Sequence, residues 1–125
     1  MVETLVLNED EAKLVASRLR YRYEGGTIIA VVQDFESNNV LMVAHMNEEA
    51  LIKTLTTGYL HLWSLSRRRL WLKGESSGNY QLVMDLIVDC DCDSVVVKVR
   101  SLGPTCHTGS RSCFFRKVSD LIKSA

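Results

Sequence analysis

The sequence carries no surplus of either charge: fifteen Lys and Arg stand against fifteen Asp and Glu in 125 residues. Without a long-range positive field to gather a polyanion, nucleic-acid binding is disfavoured and any basic patch must be local. No run approaches the roughly 20 consecutive apolar residues that cross a bilayer. Met1 is followed by Glu3, Asn8, Glu9 and Asp10, where an export leader would be basic and then apolar. The expectation is a cytoplasmic protein with no membrane contact. Neither an internal repeat nor a low-complexity linker divides the chain, and its length supplies one modest core, so residues 1–125 are expected to form a single domain. A Cys-x-x-Cys pair is absent, which disfavours a thiol oxidoreductase. The His-x-Glu with Pro-Cys-x-x-Cys pattern of zinc deaminases is absent too.

What is present begins with four cysteines. They leave two readings, a pair of disulfides or thiols kept reduced for a metal or for catalysis. Cys90 and Cys92 stand two apart at the end of an expected strand, where their side chains would point the same way and not readily bridge. With no export leader, reduced thiols are the better reading.

Local signals divide the rest into elements. Asn8, with Glu11 three residues on, reads as a capping box opening a helix whose apolar residues Ala12, Val15 and Leu19 recur at helical spacing, and Gly25-Gly26 ends that region. Thr27 to Gln33 and Val40 to His45 are apolar and β-branched, and the polar stretch between them predicts a hairpin. A second helix follows, with Asn47 as cap, Glu48 and Glu49 in the first turn, Met46 and Leu51 as a hydrophobic staple, and Gly58 as its end. Tyr59 to Leu65 reads as a strand, Leu70 to Leu72 as a short apolar piece, and Gly74 to Gly78 as a turn or binding loop. Tyr80 to Val88 and Ser94 to Val99 complete the longer strands, and Phe114 to Val118 is expected as a short terminal one. Within the first of these, Leu82, Met84, Leu86 and Val88 alternate with Val83, Asp85, Ile87 and Asp89, with both faces largely covered. The class is α+β, with antiparallel or mixed strands and two main helices.

Chemistry-bearing residues concentrate between Asp89 and Cys113. If the backbone stays extended, Asp89, Asp91 and Asp93 line one side and Cys90 and Cys92 the other. A solvated acidic turn is the plain explanation. Three like charges directly after an apolar strand nevertheless repel one another unless a cation or basic substrate offsets them, and hard oxygen ligands at this spacing suit Mg²⁺. Cys90, Cys106 and Cys113 belong to a softer class suited to zinc, and can converge only if the fold or a second subunit joins distant segments. Ordinary buried cysteines are the alternative.

Four strings carry a resemblance: Val43-Ala44-His45-Met46-Asn47, Leu70 through Gly78, Asp89-Cys90-Asp91-Cys92-Asp93, and Cys106 through Phe114. From about Gly25 to Val118 the chain resembles the phosphoribosyl-AMP cyclohydrolase family of histidine biosynthesis, whose members open an adenine ring by water attack at C6 and cleavage toward N1. The resemblance implies magnesium on Asp89, Asp91 and Asp93 and zinc on Cys90, Cys106 and Cys113. It also implies an intertwined homodimer that shares the zinc site, Cys90 coming from one subunit and Cys106 with Cys113 from the other. Leu65 stands where the family usually has arginine. Either Arg68 or Arg69 compensates, or Leu65 points away while Ser64 and Ser66 share the site face. Some relatives carry a second domain for the preceding pyrophosphate cleavage; this chain ends sooner, so another protein is expected to perform that step.

A zinc held by three sulfurs leaves a fourth position for water, but thiolate charge weakens the acidification of that water, so a nearby base is useful. His107, beside Cys106, is the first candidate, and His45 and His61 are rivals that fit structural roles equally well. The two phosphates of the implied substrate call for Arg67, Arg68, Arg69, Lys73 and Arg111, with Ser66, Glu75, Ser76, Ser77 and Gly78 completing the binding set. Trp63 and Trp71 are available to stack on a base, although strand aromatics more often fill a core. A competing class is a structural-zinc domain that binds another protein, with fourfold protein coordination and no open position.

Overall fold

Both long helices begin where their caps direct. In this computed structural model, which describes residues 4–123, Asn8 accepts the Glu11 N–H (2.8 Å) and the Glu11 carboxylate accepts the Asn8 N–H (3.1 Å). Helix α1 (Glu9–Ser17) thus opens on a reciprocal capping box. Helix α2 (Glu48–Thr57) starts at Asn47, whose side chain accepts the Ala50 N–H (2.8 Å), and stops at Gly58 in the left-handed region (φ 78°). Met46 and Leu51 flank the α2 start and are fully buried, so the expected staple sets the angle at which the chain enters the helix.

The strands are β1 (Ile28–Asp34), β2 (Val40–Met46), β3 (His61–Ser64), β4 (Arg69–Leu72), β5 (Gln81–Val88) and β6 (Ser94–Ser101). They form one mixed sheet ordered β4-β3-β2-β1-β6-β5, in which β1 and β6 run parallel and the other pairs antiparallel. The inward residues Ile28, Ala30 and Val32 of β1 join Val95, Val97 and Val99 of β6, together with Ala12 and Ala16 of α1 and Leu51 and Leu55 of α2, in a single core. Full burial of a Leu or Ile side chain is worth about 1.5–3 kcal/mol, so this layer anchors the frame on which the loops stand. No described helix is long and apolar enough to cross a membrane.

Two expectations are corrected. Phe114 to Val118 is not a strand: residues 114–117 are irregular and lead into a short helix α3 (Val118–Lys123), where the Asp120 carboxylate accepts the Lys117 N–H (2.9 Å). A strand needs a sheet edge to pair with, and the outer strands β4 and β5 do not receive this segment. The simple alternation of β5 also fails. A bulge between Val83 and Asp85 moves Val83, paired with Val99, onto the same face as Leu86, paired with Val97. As an edge strand, β5 is not covered on both sides: Asp85, Ile87 and Val88 are exposed.

A candidate metal centre and the pocket beside two thiols

The acidic run is a turn, not an extended strand. After β5 the chain reverses over residues 89–93, with the Cys92 N–H bonded to the Asp89 carbonyl (3.2 Å) and Cys92 itself left-handed (φ 62°). The reversal draws together what a straight strand would only have aligned: carboxylate oxygens of Asp89, Asp91 and Asp93 all lie within 4.8 Å of one another. It also separates the two thiols, leaving Cys90 exposed while Cys92 packs against the core.

Each carboxylate is positioned differently. Asp89 Oδ1 accepts the backbone N–H groups of Asp93 (3.0 Å) and Ser94 (3.2 Å). Asp93 is buried and its Oδ2 accepts from Tyr23 Oη (3.1 Å) and Arg22 Nε (3.1 Å), while Arg22 Nη2 reaches Asp91 Oδ2 at 3.5 Å. The Arg20 N–H donates to the Cys92 carbonyl (2.7 Å) and pins the segment before β1 onto the turn. Hydrogen bonding to Asp89 and then to Asp93 pushes the Asp91 carboxyl above its ordinary range. Asp89 goes the other way: desolvation raises it, but the Ser94 N–H and its carboxyl neighbours outweigh that and hold it low. Three converging hard oxygens that resist simultaneous ionisation form a donor set that fits a hard divalent cation.

The second centre is a pocket of about 640 Å³. One wall comes from β4 and the turn after it, where Arg69, Trp71 and Lys73 follow the two-residue period of a strand and share the pocket face. Lys73 Nζ sits 5.4 Å from the centre of the Trp71 ring. Glu75 accepts the Leu72 N–H (3.0 Å) and pairs with Arg69 (3.4 Å), tying the turn to the wall.

A second part of the lining is the loop from Pro104 to Cys113. Its shape is held by Thr105 N–H to the Arg111 carbonyl (3.2 Å), Cys106 N–H to the Ser110 carbonyl (3.1 Å) and Cys113 N–H to the Leu41 carbonyl beside β2 (2.7 Å). Cys106 and Cys113, although seven positions apart, thereby line the same pocket close enough to shift each other's titration. The hydroxyl of Thr108 donates to Cys106 Sγ (3.1 Å), and with the Thr108 N–H and the Lys73 charge it outweighs burial and holds that thiol below its ordinary range. Burial, then the neighbouring Cys106, pushes Cys113 up. The pair is thus divided into one thiol ready to ionise and one that resists.

At the far end Asn79 is wedged against Gly103, where any Cβ would overlap the Asn79 amide oxygen. Only glycine accommodates that approach without a shift.

The sequence has close counterparts. A family model described as "Phosphoribosyl-AMP cyclohydrolase" matches residues 42–115. The phosphoribosyl-AMP cyclohydrolase of Sulfurisphaera tokodaii is 60% identical over 116 residues, covering 93% of this chain and 98% of that protein. That of Pyrobaculum aerophilum is 56% identical over 115 residues, covering 92% and 87%. That of Methanothermobacter thermautotrophicus is 63% identical over 91 residues, covering 73% and 66%. The chain belongs to the phosphoribosyl-AMP cyclohydrolase family.

In this cyclohydrolase-family chain the pocket gathers Cys106, Cys113, His107, Arg67, Lys73, Glu75 and Ser77 from the expected set. Ser66, Arg68 and Gly78 lie in the turns beside it without lining it; Arg68 occupies a left-handed position (φ 52°) and Gly78 closes its turn through an N–H bond to Gly74 (2.7 Å). Arg111 lines a smaller adjoining cavity of about 310 Å³, with its guanidinium 3.8 Å from Asp34. His45 and His61 do not line the pocket: His45 Nδ1 bonds Thr27 Oγ1 (2.9 Å) and His61 Nδ1 bonds the Tyr59 carbonyl (2.8 Å). Leu65 falls in the β3–β4 turn beside Gly25 and does not line the pocket; Ser64 does, but the strand face expected to carry Ser64 and Ser66 together is absent because residues 65–68 form a turn. Met42, Asn79 and Thr105 line the pocket without having been singled out. Asn79 directly follows the Gly74–Gly78 loop, a signal that was there to use; nothing in one dimension marks Met42 or Thr105.

Proposed function

We propose that the pocket opens the adenine ring of phosphoribosyl-AMP by hydrolysis at the N1–C6 bond, yielding the formimino-aminoimidazole carboxamide ribonucleotide of histidine biosynthesis. The observation that carries this is the pairing of the Cys106 and Cys113 thiols beside His107, in a pocket whose other wall carries Arg67, Arg69 and Lys73.

Two soft ligands, one of them with a lowered pKa, fit zinc but do not complete its coordination. Among the described residues no third Cys, His or carboxylate joins them into a cluster. Cys90 sits exposed on the acidic turn and so is available to a second chain. We therefore assign the zinc site to Cys106 and Cys113 of one subunit with Cys90 of another, in an intertwined homodimer. Phe114, Phe115, Val118 and Ile122 are at least half exposed, as are nearly Val43 and Ile87, which is consistent with a further covering surface. Asp89, Asp91 and Asp93 would hold Mg²⁺, and residues 1–125 act as one domain.

When bound, zinc supplies a Lewis acid that makes water nucleophilic near neutral pH. The chain's own residues do the rest. His107 takes one proton of the attacking water and returns it to N1 as the C6–N1 bond breaks, while the second, given up by the C6 hydroxyl as the carboxamide carbonyl forms, passes to the exocyclic imino nitrogen, so both protons of the water are placed. Arg67, Arg69 and Lys73 meet the phosphates with charge-assisted bonds, and the Trp71 ring offers a flat apolar face to the base. The substrate is placed by these contacts before any proton moves.

Turnover of phosphoribosyl-AMP by zinc-reconstituted protein, followed by ring-opening absorbance, tests the reading. Replacing His107 with Ala should leave zinc content intact and lower turnover by roughly 10²–10⁴-fold. Unchanged turnover in that variant would remove the assigned base, and no turnover by the parent would remove the reading.

A further inference from the structure

One polar atom in the pocket wall has no work to do in the free protein. Thr105 is 1% exposed and lines the pocket, and its Oγ1 is the only buried side-chain nitrogen or oxygen among the described residues without a hydrogen-bond partner. A buried hydroxyl without a partner is disfavoured relative to a methyl group of the same shape, and native chains rarely retain one without cause. Its backbone cannot be adjusting to relieve it. The Thr105 N–H is committed to the Arg111 carbonyl (3.2 Å), and the next residue, Cys106, is tied to Ser110 (3.1 Å) and to the Thr108 hydroxyl (3.1 Å). Only the side-chain rotor is left free. A turn of about 120° about Cα–Cβ carries the hydroxyl to the position now held by the methyl or by the hydrogen on Cβ, and no existing hydrogen bond is broken by it.

We propose that Thr105 is a substrate-binding residue whose hydroxyl finds its partner only when the pocket is filled, by turning toward a polar atom on the purine portion of a bound nucleotide. The placement fits the base: Thr105 is adjacent to Cys106 and two residues from His107, where ring chemistry is assigned. This inference rests on the ring-opening reading above and adds to it a contact that discriminates a hydrogen-bonding purine edge from an apolar one.

The test uses Thr105→Val, which keeps the shape and removes the hydroxyl, and Thr105→Ser, which keeps the hydroxyl. In the free zinc-loaded protein, Thr105→Val should melt no lower than the parent, because no hydrogen bond is lost. With phosphoribosyl-AMP it should show a KM raised roughly fivefold, the scale of one neutral hydrogen bond. Thr105→Ser should retain the parent KM even if loss of its methyl lowers the melting temperature. A Thr105→Val variant that melts lower but keeps the parent KM would overturn the proposal, because the hydroxyl would then be serving the fold. Equal KM and equal melting would overturn it as well. A parent protein inactive on phosphoribosyl-AMP would instead remove the ring-opening reading on which the proposal stands.

Discussion

The acidic turn and the thiol pair are assembled in opposite ways. Asp89, Asp91 and Asp93 are drawn together within five consecutive residues by one tight reversal, and the cluster is complete in a single chain. Cys106 and Cys113 meet because a loop is bonded back to the residues around the start of β2, far away in sequence, and two sulfurs are all that this chain brings there. A local cluster needs only its own turn to be right. A long-range one depends on the whole sheet, and here on a second subunit if Cys90 is its third ligand. Because Cys90 stands between Asp89 and Asp91, loss of the thiol pair should spare the acidic turn, whereas disruption of the turn should reach both centres.

The sharpest way to break that comparison is Cys106→Ala. We expect zinc to be lost and turnover to fall to background, with Mg²⁺ binding at the acidic turn unchanged; elemental analysis beside a Mg²⁺ titration reads both. Simultaneous loss of both metals would show that the centres are coupled. Next in size, Asp93→Ala strips the partner from Arg22 Nε and Tyr23 Oη and should destabilise the fold by about 1–3 kcal/mol in urea melts, with zinc content falling as well because Cys90 stands on the same turn. Gly103→Ala sharpens the long-range side. Its methyl must displace Asn79, so a loss of about 1–3 kcal/mol is expected, with a rise in KM from a distorted pocket end.

The smallest effect lies outside both centres and serves as a control. Burial, and secondarily the Glu48 charge, raises the Tyr21 phenol above its ordinary value of 10.0. The folded state thus keeps a proton that the unfolded state gives up. The contribution is fully present below pH 10 and is lost as pH climbs from there toward the folded value. Tyr21→Phe should flatten the fall of stability above pH 10, at the cost of the Tyr21 hydrogen bond to the Ala16 carbonyl (2.9 Å), and should alter neither metal.

Much of this was readable in one dimension. The caps Asn8 and Asn47, the staple of Met46 with Leu51, the Gly58 stop and the β1–β2 hairpin are local devices acting over a few residues, and all stand where their signals put them. The failures share a cause. A terminal strand from Phe114 to Val118 had the right composition but no sheet edge receiving it, and the β5 alternation was broken by a bulge that no residue type announced. In the same way, the extended geometry expected for residues 89–93 was wrong although the convergence of their carboxylates was right.

By itself, then, the sequence determined the caps of the two long helices, the main strand segments, the family, and the acidic and thiol side chains of the candidate centres, because capping, side-chain period and ligand chemistry are properties of residues and their near neighbours. Tertiary structure alone decided that β1 and β6 run parallel at the sheet centre, that Cys106 meets Cys113 beside Lys73, that His107 and not His45 or His61 lines the pocket, and that Thr105 is left without a partner. Those facts depend on which distant segments pack together, and the free energy that selects the packing is shared across the whole core.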